Sequence, residues 1–366
     1  MSAVPLIDDL EVASYRVPTQ GPEADGTLEW DATELVVVHL SAGAVHGMGY
    51  SYTAATPAAA LVREKLAPCV VGRSTEDIPM LWRDMQRTLR NVGLPGLGMM
   101  AIAAVDQALW DLRARQLELP LSALWGQLRT SVPAYGSGGF LTYSEEQLEA
   151  QLQGWVEQGF AAVKIKLGAE VSDAERRVDL ARRAIGPDVS LMVDLNGACD
   201  RRDAAAMLAR LAPYEIAWVE EPVSSDDLAG LRWLRDQVPS GTAIAAGEYG
   251  WDLRYFRRML EAGAVDVLQA DATRCGYTGF LGTAHLCEAF GVGLSAHCAP
   301  GIHLPLARAA PVFTHQEYFH DHVRLEAMLF QTNHRVEAGQ LQPDEDCIGH
   351  GMRLLRSEAE PFRLSP

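Results

Sequence analysis

From about Val132 the chain alternates two kinds of segment. A short apolar, often β-branched run ends in polar residues, a turn follows, and a charged stretch with apolar residues at helical spacing comes next. The runs are Val132–Tyr135, Ala162–Leu167, Ser190–Leu195, Ala217–Glu220, Ala243–Ala246, Val265–Ala270, Gly293–Ala296 and His315–Phe319. They return every 20 to 30 residues or so, the length of one strand-plus-helix unit. Eight such units predict a closed parallel α/β barrel with helices outside.

The intervening stretches carry helix-start signals. Ser144-Glu145-Glu146-Gln147 and Ser172-Asp173-Ala174-Glu175 both place a hydroxyl three positions before Gln or Glu, the capping-box spacing. An open doubly wound sheet is the competing architecture. It requires a glycine-rich phosphate turn after its first strand, and Gly136-Ser137-Gly138-Gly139 lacks the fingerprint spacing. Residues 1–125 follow a different pattern: a strand-like run, Leu35–Leu40, comes early, and a helical pattern over Met99–Gln116, with Ala101, Val105, Ala108, Leu109 and Leu112 in phase, comes late. This is an α+β module. Between its first two strands, Pro18–Gly26 is rich in breakers and reads as a surface loop, with a lid over the barrel mouth as the sharper alternative.

Within the second run, Lys164 and Lys166 share one strand face while Val163, Ile165 and Leu167 share the other. With the apolar face under helices, two ammonium groups crowd one interior space, where burial and mutual repulsion favour the neutral amine. A lysine depressed in that way serves as a base. Two solvated lysines at a strand end are the plainer alternative.

The 366 residues are 48% hydrophobic and 22% charged, an ordinary globular balance, with a net charge of −17. That charge speaks against nucleic acid or an anionic membrane as partner, and any anionic substrate must be held by local cations. Cysteines at 69, 199, 275, 287, 298 and 347 include no C-x-x-C pair, and no apolar stretch approaches a membrane span, so a reducing cytoplasm is expected.

In a parallel barrel the C-terminal strand ends converge on one mouth. Those ends deliver Lys164 and Lys166, then Asp194 with Asn196, Glu220 with Glu221, Glu248, Asp271, His297 and Glu317. The intervals from Asp194 are 26, 28, 23, 26 and 20 residues, one ionisable group per strand. Three carboxylates from consecutive strands, Asp194, Glu220 and Glu248, suit a hard divalent cation such as Mg²⁺. His297, with Asp271 one strand earlier, is an acid or base oriented by a carboxylate, and Glu317 is placed to share a proton with a developing oxyanion. Ser137 lacks a nucleophile-elbow context, and Arg274 stays charged and cannot be a base. With Asn196 and Glu221 they remain candidates for supporting or substrate-binding positions. His315, His320 and His322 crowd one stretch without evident ligand partners.

The K-x-K strand, the D-x-N, E-E-P and G-E strand ends, the Asp271/His297 pair and the Ala101–Asp111 helix together resemble the enolase superfamily, specifically its mandelate racemase-like subgroup, over nearly the whole chain. The resemblance implies a modified TIM barrel, (β/α)7β, over residues 126–330, with residues 1–125 as a capping domain to which the tail, 331–366, returns. It implies abstraction of the proton α to a carboxylate, with Mg²⁺ on Asp194, Glu220 and Glu248 offsetting the charge of the enediolate. Lys166 is then the base on one face of the α-carbon and His297 with Asp271 the acid/base on the other. Lys164 and Glu317 stabilise the carboxylate and enediolate. Strand parity leaves Glu220 and Glu221 equivalent; the resemblance makes Glu220 the ligand and Glu221 its neighbour. Gly276-Tyr277 replaces the glycine pair usual after Asp271, which is expected to narrow the mouth. The residues that choose the substrate are expected in Pro18–Gly26, near Tyr50 and around His303. The leading expectation is an acid-sugar dehydratase, with a racemase or epimerase next and a non-catalytic metal-dependent binding protein last. Its partner is a small-molecule carboxylate, and a homo-oligomer is implied.

Overall fold

The computed structural model describes residues 5–344 and 347–365. Three antiparallel strands, β1 (Asp9–Ala24), β2 (Glu29–Ala42) and β3 (Val45–Tyr52), form a sheet with β2 central. Leu35–Leu40 does not alternate with polar residues because β2 is covered on both faces. Val36, Val38 and Leu40 pack with the helices Ile78–Leu89 and Met99–Gln116, while Leu35 and Val37 join the core that holds the barrel strands.

The helix Met99–Gln116 forms over the predicted residues and is buried nearly all round, so its polar side chains need partners. Gln107 accepts from the backbone N of Tyr50 at 2.9 Å and donates to the carbonyl of Ala272 at 2.7 Å. Asp106 accepts from Thr278 N and Oγ1 at 2.8 and 2.7 Å. This helix therefore ties the N-terminal sheet to the segment that follows Asp271.

Eight parallel strands make the barrel: β4 (Val132–Gly138), β5 (Ala162–Lys166), β6 (Ser190–Asp194), β7 (Ile216–Glu220), β8 (Ala243–Ala246), β9 (Val267–Ala270), β10 (Gly293–Ala296) and β11 (Phe313–Phe319). Each pairs with the next, and β11 pairs back to β4 from Gln316↔Ala134 to Phe319↔Ser137, which closes the barrel and excludes the open sheet. Val163, Ile165, Val193, Val219, Ile244 and Leu268 are fully buried beneath the outer helices. Burial of each contributes about 1.5–3 kcal/mol.

Two local expectations are corrected. Ser144 makes its capping box with Gln147, but the next helix starts two residues early, at Val171, with Glu170 as its N-cap, so Ser172 lies inside the first turn and caps nothing. The breaker-rich Pro18–Gly26 is mostly strand. Edge strand β1 tolerates proline, shifts register between Pro18 and Glu23, and resumes as Glu23↔Trp30 and Ala24↔Glu29. This hairpin end rests on the barrel: Leu141 N donates to Ala24 O at 2.9 Å, and Thr142 Oγ1 to Pro22 O at 2.6 Å. Gly26 sits so close that a Cβ there would stand 2.4 Å from the Leu195 carbonyl.

The tail serves both parts. Its hairpin, His334–Glu337 with Gln340–Pro343, pairs Leu341 with Val132 at the start of β4. Farther on, His350 Nε2 donates to Met48 O at 2.8 Å and Leu364 N to Ser14 O at 2.8 Å, both on the N-terminal sheet.

Candidate active site

Strand register sets the site. Lys166 is the Cα partner of Asp194, which is the partner of Glu220, so three charged side chains leave adjacent strands at one level. After β8 the chain turns through Gly247 at φ +129°, where a Cβ would meet the Gln269 carbonyl at 2.4 Å, and Glu248 follows. Asp194, Glu220 and Glu248, all buried, each offer an oxygen within 4.8 Å of the others. Lys164 Nζ lies 2.6 Å from Glu220 Oε2 and 2.8 Å from Glu317 Oε1, and Lys166 Nζ lies 2.6 Å from Asp194 Oδ2.

These contacts correct the expected depression of the lysines. Burial does oppose their charge, but Glu220 and Glu317 around Lys164, and Asp194 beside Lys166, outweigh it and hold both above their ordinary value. The acids carry the strain instead: burial and neighbouring Asp194 push Glu220 up to about 8. Glu220 Oε1 and Glu248 Oε2 are buried without a hydrogen-bond partner. A crowded all-oxygen set with orphaned lone pairs fits a hard dication such as Mg²⁺.

Across the mouth, His297 Nδ1 is 3.0 Å from Asp271 Oδ2, and its Nε2 faces Glu248 Oε2 at 3.4 Å, Cys298 Sγ at 3.2 Å and Glu317 Oε2 at 3.9 Å. Burial disfavours charge on this ring, yet Glu248, the Asp271 bond and Glu317 prevail and lift it to about 9. Glu317 sits between the two halves. Ser137 Oγ donates to its Oε1 at 2.6 Å and Cys298 N to its Oε2 at 2.8 Å, and despite burial the adjoining Lys164 and His297 hold it below its ordinary range.

A family model described as enolase C-terminal domain-like matches residues 147–358, and one for the mandelate racemase/muconate lactonizing enzyme N-terminal domain matches residues 11–126. The chain belongs to the mandelate racemase/muconate lactonizing enzyme family of the enolase superfamily. Among solved structures it is similar to a mandelate racemase/muconate lactonizing enzyme-like protein from Rubrobacter xylanophilus, 45% identical with a TM-score of 0.95 over 98% of this chain and 100% of that one. It also resembles an L-talarate dehydratase from Polaromonas sp. JS666 complexed with Mg and L-glucarate, 30% identical, TM-score 0.88, covering 98% of each chain. A 3,6-anhydro-alpha-L-galactonate cycloisomerase of Streptomyces coelicolor is 32% identical over 95% of this chain and 97% of its own.

The other candidates of this family member fall at varied distances from the cluster. Asn196, at φ +47°, donates its backbone N–H to Asp194 Oδ1 at 2.9 Å. Glu221 is buried beside Glu248 and raised well above its ordinary value by burial and that charge. Arg274 lies over the Tyr249 ring, 3.9 Å from Asp271 Oδ2. Tyr277 does not narrow the mouth: its hydroxyl donates to Ile302 O at 3.1 Å and its ring packs on Trp125, among the outer helices. Nor are Tyr50 and His303 on a substrate wall. Tyr50 is fully buried and bonded to Glu326 at 2.5 Å; His303 accepts from Ala272 N at 2.7 Å and donates to Cys298 O or Ala299 O, bracing the Asp271 and His297 segments.

The sequence missed two supporting groups, Gln107 and Arg177, and gave a third, His303, a different role. Gln107 and His303 fix the backbone after Asp271, and the buried Arg177 donates to Gly139 O at 2.7 Å and Phe140 O at 3.0 Å beside Lys166. A polar residue inside an otherwise apolar helical phase was the available signal for Gln107. Tyr52 stacks on His322 at 3.5 Å, and with Phe319 and Trp30 they line a cavity of about 480 Å³ between the N-terminal sheet and the barrel rim.

Proposed function

We propose that this enzyme removes the α-proton of a sugar acid and expels its β-oxygen, acting as an acid-sugar dehydratase that yields a 2-keto-3-deoxy acid. The observation that carries this reading is the pairing, around one carboxylate, of a lysine half and an imidazolium half: Glu317 reaches Lys164 with one oxygen and faces His297 with the other. Asp194, Glu220 and Glu248 would hold Mg²⁺, which supplies fixed positive charge against the substrate carboxylate as its α-carbon loses a proton.

Lys166 is the base in this reading. It must deliver its resting proton before taking the substrate's, and the dication on Asp194 would relieve the carboxylate charge that now favours its protonated form. Lys164, its ammonium held by Glu317 at 2.8 Å, stabilises the enediolate from the side. His297, cationic near neutral pH and held by Asp271 at Nδ1, protonates the departing β-hydroxyl from Nε2. The enol then tautomerises to the keto acid. The same two groups would open a β-ether, the chemistry that the similarity to the cycloisomerase favours as a second reading, because the leaving oxygen is then merely tethered.

The test is a panel of aldonates, aldarates and anhydro-sugar acids assayed for keto acid with Mg²⁺ and again after chelation. Keto acid that appears only with Mg²⁺ is the expected result; none from any member would end the proposal. In D₂O, a racemase would instead incorporate deuterium and keep its β-hydroxyl. Six free cysteines support placement in a reducing cytoplasm. No helix among the described residues is long and apolar enough to cross a membrane.

A further inference from the structure

We infer that His297, Cys298 and Glu317 form a second cation site, selective for soft divalent ions such as Zn²⁺, through which these ions inhibit the enzyme. The three offer a nitrogen, a sulfur and an oxygen within 4.8 Å of one another. Cys298 Sγ stands 3.2 Å from His297 Nε2, and Glu317 Oε2 stands 3.9 Å from the same nitrogen. Tetrahedral Zn²⁺, with bonds of about 2.3 Å to sulfur and about 2.0 Å to nitrogen or oxygen, spans edges of roughly 3.3–3.5 Å. The sulfur–nitrogen pair at 3.2 Å already matches such an edge closely, and the nitrogen–oxygen pair at 3.9 Å exceeds it by about half an ångström.

The surroundings complete the site. Asp271 occupies His297 Nδ1 at 3.0 Å, the carboxylate–histidine arrangement that fixes the tautomer and leaves Nε2 as the ligand atom. Ser137 and Lys164 occupy Glu317 Oε1, while Oε2 accepts from Cys298 N at 2.8 Å and faces His297. The backbone of Cys298, at φ +53°, aims its thiol back at the preceding ring instead of along the chain. Next to it the set of Asp194, Glu220 and Glu248 is all oxygen. The two halves of the mouth therefore differ in hardness: Mg²⁺ prefers the carboxylates, and a thiophilic ion prefers the triad containing sulfur. On binding, the Cys298 S–H bond and the His297 Nε2–H bond both break, the two protons go to buffer, and sulfur and nitrogen keep their electron pairs for the metal. The ion then caps His297 Nε2, the atom that would deliver a proton.

Co²⁺ titrated into the Mg²⁺-saturated protein without substrate should give a thiolate-to-cobalt absorption band that Zn²⁺ abolishes, and Zn²⁺ added alone near neutral pH should release about two protons per ion, one from Cys298 and one from His297. In Cys298→Ser and Cys298→Ala the band should vanish and Zn²⁺ should bind about tenfold more weakly or worse. A wild-type protein without the band, the same band in either variant, or Zn²⁺ binding without proton release would overturn the inference. Because none of these readouts needs turnover, they stand apart from the search for the sugar-acid substrate. Proton release and the band are also read on the wild type alone, should a variant fail to fold.

Discussion

Asp271 Oδ2 holds His297 Nδ1 at 3.0 Å while Oδ1 of the same carboxylate accepts from Thr273 N at 2.7 Å, capping the helix that begins at Ala272. One side chain thus orients the imidazole and starts a helix. Asn keeps a cap but lacks the charge. In Asp271→Asn, His297 should titrate well below its present value of about 9, followed by NMR of its ring protons in metal-free protein. Turnover should fall about 10²–10⁴-fold, with stability lowered by less than about 1 kcal/mol. An unmoved titration would refute the coupling.

Lys166 and His297 are assigned to opposite steps, which isotope exchange separates. With a dehydrated substrate in D₂O, His297→Asn should lose keto-acid formation by about 10²–10⁴-fold and still wash deuterium into the α-position. Lys166→Ala should lose both. Exchange that survives without Lys166 would show that another group takes the proton.

Glu326 links the two parts of the fold, accepting from Tyr50 Oη at 2.5 Å and from Gly301 N at 2.9 Å. Burial raises it from 4.5 to about 7. The folded value exceeds the unfolded one, so its contribution is fully present below about pH 4.5 and is lost as pH rises through about 7. A difference of that size corresponds to roughly 3 kcal/mol. Denaturant unfolding at pH 5 and pH 8 should show a smaller loss for Glu326→Gln than for the wild-type protein. Equal losses would mean that Glu326 ionises freely in the fold.

Two serines with one sequence signature separate cleanly. Ser144→Ala removes a real capping box and should cost about 1 kcal/mol, whereas Ser172→Ala, inside its helix, should stay within about 0.5 kcal/mol of wild type. Thermal unfolding of both variants checks this, and a larger loss at Ser172 would contradict the observed helix start.

The barrel strands and the order of charges at their ends were legible because alternation and apolar runs are local, and a strand has only two faces. That placed Lys164, Lys166, Asp194, Glu220, Glu248, Asp271, His297 and Glu317 on strand ends before any distance was known. Breaker content misled at Pro18–Gly26, since an edge strand tolerates proline that a central strand would reject. Tyr277 misled for another reason: directly after the backbone break at Gly276, φ +66°, the side-chain direction depends on which neighbours accept it, here Trp125 and Ile302.

The sequence by itself determined the period of the fold and which chemical groups reach the mouth, because hydrophobic spacing and residue type are properties of neighbours along the chain. Only the tertiary structure decided how those groups charge one another. Whether Lys166 rests as an amine or an ammonium, and whether His297 is cationic, depends on carboxylates 20 to 49 positions away in sequence and 2.6 to 3.9 Å away in space. Coulomb energy follows distance through a buried, weakly screening interior, and that distance is set by closure of the barrel.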